Sequence, residues 1–219
     1  MKMKKAIAMT MCAVMLVAAS VMGTMAFLTG TDKVENTFTV GKLSMTLDEA
    51  RTDAYGVAPD MNDRVHGNEY KMIPGHHYVK DPTVHMAPNS EASYVFVKVD
   101  NGMKDILNTK HLTGKPDENG MAPVQYVGLS EQMRGHGWEP MYVEQNGEAV
   151  AVYVKKVPAI GAEGQDLVVF DYFDIASNTT NAQIEAHKDA KIVVTAYAVQ
   201  QDGFASAEEA WNATFKTVK

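Results

Sequence analysis

The sequence predicts an all-β sandwich, and three observations carry this. Short runs rich in β-branched and aromatic residues recur from residue 37 to residue 199. Asn146-Gly147 separates two apolar-alternating runs, the strongest short hairpin signal a sequence carries. Helix signals are sparse, so seven or more short strands divided by turns must pack on one another.

The chain begins with a different kind of segment. Lys2, Lys4 and Lys5 form a positive start, residues 6–22 are almost wholly apolar and carry no charge, and Gly23-Thr24-Met25-Ala26 supplies small residues. This is the layout of a secretory signal peptide. Its apolar core is shorter than the roughly 20 residues of a membrane span. Cleavage between Ala26 and Phe27 is expected, leaving an exported protein of 193 residues. That length fits one domain with a hydrophobic core of its own. Residues 27–36 read as a free N-terminal segment and residues 37–219 as the domain.

Within the domain, Thr37-Phe38-Thr39-Val40 leads through Gly41 into Leu43-Ser44-Met45-Thr46-Leu47, a period-2 pattern. Residues 52–70 are polar and poorly patterned and predict a surface loop or insertion. Pro74-Gly75 predicts a turn, and Asp81-Pro82 biases Asp81 to extended backbone, which suits an edge strand. Residues 93–99 predict a strand ending at the Asn101-Gly102 turn. A helical turn is expected in 103–111 and another in 181–188. Residues 140–144 and 149–154 form the predicted hairpin, and 167–170 a further strand. Residues 192–199 lack strict alternation, as in a strand covered on both faces. Ser206-Ala207-Glu208-Glu209 has capping-box spacing, so 206–213 predict a short helix whose Trp211 docks on the sheet.

Composition excludes several functions. The single cysteine, Cys12, lies in the signal segment, so the exported chain has no disulfide, thiol nucleophile or cysteine metal site. Export without cysteine suits a bacterial surface protein. Three basic residues leave with the signal and no acidic one does, so 17 basic residues face 27 acidic ones, a net charge of −10. That balance argues against nucleic acid as a partner. No second apolar run of membrane length follows, and no hydrophobic tail or sorting motif precedes Lys219, so neither a membrane span nor a covalent wall anchor is expected.

Four segments together resemble the TasA/camelysin family of exported bacterial proteins. They are the signal region followed by Phe27-Leu28-Thr29 and NTFTVGKLSMTLDE; MIPGHHYVKDPTVHMAPNSEASYVFVKV at 72–99; Trp138 ahead of the 150–156 strand and LVVFDYFDIAS; and VVTAYAVQQDGFASAEEAW at 193–211. The resemblance implies a jelly-roll-like β-sandwich, cut from its signal by a SipW-type signal peptidase and held at the cell surface. It implies a subunit or accessory of biofilm-matrix fibres, associating with itself or with related matrix subunits. In fibre formers the freed N-terminal segment inserts into the next subunit as a donated strand, a case of β-augmentation. Here the candidate donor has Phe27, Leu28, Val34, Phe38 and Val40 as apolar anchors. Residues 37–47 are expected to pair within their own domain. The chain departs from the fibre formers in its shorter middle loops.

The resemblance also implies a runner-up, a camelysin-like metal-dependent surface peptidase; a monomeric surface binding module is the third reading. No H-E-x-x-H pair occurs among the seven histidines, His66, His76, His77, His85, His111, His136 and His187. His76 and His77 are adjacent, and strand geometry sends adjacent side chains to opposite faces. His76, His77 and His85 are the least poor metal candidates, and the expectation is no metal, no cofactor and no catalysis. G-x-S-x-G is absent. Glu163, Asp166, Asp171 and Asp174 form an acidic stretch without EF-hand spacing and predict a solvated face.

Overall fold

The computed structural model describes residues 29–32, 43–112, 124–145 and 147–215. The fold is mostly β, with antiparallel sheets and a short C-terminal helix. Strands are numbered in chain order. The larger sheet runs β1 (Thr29–Asp32), β13 (Ile192–Gln200), β6 (Ser93–Asn101), β10 (Glu148–Val157), β9 (Glu139–Gln145). The second runs β11 (Gln165–Val168), β5 (Thr83–Met86), β2 (Met45–Ala50), β3 (Arg64–Val65). Two ribbons pair β12 (Tyr172–Asp174) with β4 (His77–Val79) and β7 (Lys110–Leu112) with β8 (Val124–Tyr126). The helices are α1 (Leu129–Gly135), α2 (Asn181–Ala186) and α3 (Ala207–Phe215).

The inner faces of the two large sheets meet in one core. Met45, Leu47, Val84, Met86 and Leu167 come from the four-stranded sheet; Val95, Val97, Val157, Ala196 and Ala198 come from the five-stranded sheet. Trp138 and Phe170 join it, with Leu43, Met133, Ile160 and Val169. Burying each large apolar side chain stabilises the fold by about 1.5–3 kcal/mol. Alternation on β2 follows directly: Met45 and Leu47 are buried, Thr46 is exposed and Asp48 half-buried.

The five-stranded sheet is covered on its other face as well. Tyr94, Phe96, Val143, Val152 and Val199 pack with Ala210 and Trp211 of α3. This explains the unbroken buried run from Ser93 to Val97 and the missing alternation in β13. The α3 start is also as expected in kind: the Glu209 N–H donates to Ser206 Oγ at 3.1 Å. The Glu209 carboxylate, however, accepts from the Ala205 N–H at 2.7 Å instead of returning to Ser206. The predicted hairpin is present, with Gln145 opposite Glu148 and Gly147 at φ 82°. Asn146 lies outside the described residues.

Several expectations are corrected. The segment after Asp81-Pro82 is no edge strand: β5 lies between β11 and β2. Pro82 falls one residue before the ladder, so its missing N–H costs nothing there. The 52–70 stretch is more than surface loop, since it contributes β3 and side-chain contacts to β2 and β4. Residues 103–111 hold turns and a bridge from Leu107 to Ile175, with no helix. Helix α2 is real and carries a full capping box between Thr180 and Gln183. The fold also contains α1, which the sequence did not signal: Gly128 at its N-cap offers no side-chain cap, and Met133 is its one buried residue. Its Gln132 amide donates to the Val127 and Tyr172 carbonyls and accepts from the Asp171 N–H, tying the helix to β12.

Candidate functional site

The structure separates the three candidate metal histidines. His76 follows the Pro74-Gly75 turn and places Nε2 2.8 Å from the Tyr55 carbonyl oxygen. On β4, His77 places Nδ1 2.7 Å from Asp174 Oδ1. His85 lies on β5, in a different sheet from β4. Among the described residues no group of His, Cys, Asp or Glu side chains converges as a metal site.

Each aspartate of the acidic stretch instead meets a histidine. Asp166 pairs with His85, Asp171 with His136 and Asp174 with His77. The expected solvated face is thus a set of His–Asp contacts between β11–β12 and three other elements. His77 and His136 each offer a carboxylate one ring nitrogen, which a neutral imidazole satisfies.

His85 belongs to a longer chain of charges across the outer face of the four-stranded sheet. Its Nδ1 is 2.6 Å from Asp166 Oδ1 and its Nε2 is 2.8 Å from Asp48 Oδ1. Asp48 Oδ1 also accepts from Arg64 Nε at 2.7 Å. Arg64 reaches on to the Asp81 carboxylate and to the Asp81 carbonyl oxygen. Asp81, which is buried, accepts the Ala50 N–H at 2.7 Å. Burial opposes the charged forms of both Arg64 and His85. The carboxylates outweigh it, Asp48 and Asp81 around Arg64, Asp48 and Asp166 around His85, so both cations titrate above their ordinary values. The two carboxylates stand at opposite ends of the His85 ring, so their oxygens do not converge on one ion.

Beneath that face lies a second pair. Lys80 donates to Glu49 Oε2, and Asn68 Nδ2 donates to Glu49 Oε1 at 2.9 Å. Both line a cavity of about 860 Å³ between β2, the 66–70 segment and the start of β13. Its apolar lining includes Leu47, Met72, Met103, Phe173, Ile192 and Val194.

The remaining feature is an edge. β1 pairs antiparallel with β13, Thr29 opposite Val199 and Asp32 opposite Ala196. Thr29–Asp32 is the described part of the candidate donor segment. Ala26, Phe27, Leu28, Val34, Phe38 and Val40 lie outside the described residues. Among the described residues, no helix is long and apolar enough to cross a membrane. No protein-family model matches the chain, nor does any curated protein or solved structure. The charge chain escaped sequence reasoning, since its members sit on four strands and one connector; the alternation placing Asp48 and His85 on outward positions was its one available signal.

Proposed function

We propose that this chain is a secreted structural protein of the bacterial surface, a jelly-roll-like sandwich that serves as subunit or accessory of biofilm-matrix fibres by strand donation. One observation carries the reading. Four residues from the segment freed by the expected signal cleavage form a separate strand on the edge of β13. The ladder contacts of an edge strand are ones that the same segment of another copy makes equally well. Such a head-to-tail exchange does not close, so it propagates as a filament. The resemblance to the TasA/camelysin family supports the same assignment, and the acidic, cysteine-free composition suits it.

The pairing of β1 within its own sheet also favours a second reading, a monomeric surface binding module. Recombinant residues 27–219, purified as monomer and followed by light scattering and negative-stain microscopy, separate the two. Uniform filaments that disappear when residues 27–36 are deleted support the fibre subunit. A persistent monomer overturns polymerisation and favours the binding module.

A further inference from the structure

We propose that His85 is a pH-operated clasp: with both ring nitrogens protonated it ties β11 to β2 across β5, and loss of one proton releases Asp166 and loosens the β11 edge.

An ionised carboxylate accepts hydrogen bonds and donates none. His85 Nδ1 faces Asp166 at 2.6 Å and Nε2 faces Asp48 at 2.8 Å, so keeping both contacts needs two N–H protons on the ring. A neutral imidazole has one N–H, and its other nitrogen then turns a lone pair toward a carboxylate oxygen. One contact must open. His77 and His136 carry no such demand, since each presents one nitrogen to one carboxylate.

The contact that opens is set by the neighbours. Asp48 is also held by Arg64 Nε from β3, and its side chain is 19 % exposed. Asp166 is 68 % exposed and free to turn to water. Glu163, on the loop entering β11, lines the same small surface pocket as His85 and Asp166 and is the other acidic group on that side. The groups facing His85 are therefore Asp48, backed by Arg64, from one side and Asp166 with Glu163 from the other.

Strand β11 is where this release matters. Among the described residues it is an edge strand that pairs only with β5, and Leu167 is its one buried residue. It enters through Gly164 at φ 74° and receives the Trp138 indole N–H at the Val168 carbonyl oxygen. On its outward side the Asp166–His85 contact is the side-chain pair that holds the strand to its neighbour. Edge strands with thin packing open locally before the rest of a fold.

Amide hydrogen exchange of the full chain between pH 5.5 and 8.5, corrected for intrinsic rates, tests this. Protection at 165–168 is expected to fall with rising pH relative to β9 and β10. In Asp166→Asn the dependence is expected to flatten, because an amide satisfies either form of the ring. Imidazole nitrogen NMR is expected to show two N–H groups on His85 at pH 6. A single N–H there, or wild-type protection of β11 that does not change with pH, overturns the clasp. An Asp166→Asn profile that still follows the wild type overturns it as well.

Discussion

Lys80 and Glu49 form an ion pair inside the protein, their side chains 10 % and 5 % exposed. Such pairs add little net stability, but removing one partner strands the other charge. Lys80→Ala is therefore expected to destabilise by about 3–5 kcal/mol, read as a fall in the urea midpoint. The double change Lys80→Met/Glu49→Gln keeps the Asn68 contact without a buried charge, and is expected to regain most of the loss. Equal loss in the single and double variants would refute the assignment.

The His85 contacts make stability depend on pH with a definite sign. Its folded value is raised above the ordinary 6.5, burial working against the charged ring and Asp48 and Asp166 for it. The contribution is fully present below that ordinary value and is lost as pH rises through the folded value. Urea unfolding of the wild type is expected to show this loss, and His85→Gln to lack it. A stability difference between the two that stays constant from pH 5.5 to 8.5 contradicts the sign.

Trp211 anchors α3 on the outer face of the larger sheet. Its ring lies 5.2 Å from Phe96, 5.5 Å from Tyr197 and 4.8 Å from Phe215, centroid to centroid. Trp211→Ala is expected to cost about 3–5 kcal/mol. Near-UV circular dichroism should lose the Trp211 share of its aromatic signal, with that of buried Trp138 kept, while the far-UV strand signal persists. An unchanged near-UV spectrum would place the indole elsewhere.

Gly56 is required twice over. It has φ 73°, and an added Cβ would stand 2.7 Å from the Tyr78 Cα. Gly147, at φ 82°, has nothing within 4 Å of an added Cβ. Gly147→Ala is expected to show only the left-handed backbone cost, roughly 1–2 kcal/mol. Gly56→Ala adds a clash with backbone and should lower the melting temperature further. The reverse ranking would show that the turn at 53–57 yields easily.

What was legible in the sequence was local. Asn146-Gly147 announces its hairpin because the turn needs a left-handed backbone there, and Ser206 announces α3 because its hydroxyl has one nearby N–H to accept. The same reasoning misplaced Asp81-Pro82, since strand order within a sheet is a long-range fact. Arg64 was hidden in a polar stretch because β3 is two residues long. Its role lies in a guanidinium reaching carboxylates 16 and 17 residues away. His85 is further still from legibility, with its partners 37 and 81 residues distant in the chain. Helix α1 left no mark because its anchoring is a side-chain amide mimicking backbone.

The ladder between β1 and β13 joins residues 29–32 to residues 196–199. Nothing of it forms until almost the whole chain has been synthesised, and β13 is also the strand that carries β6 on its other side. Contacts this distant in sequence make for slow, late-closing folding. A polypeptide arrested before residue 192 lacks the strand that joins β1 to β6, so early termination leaves the first strand without its partner in that sheet.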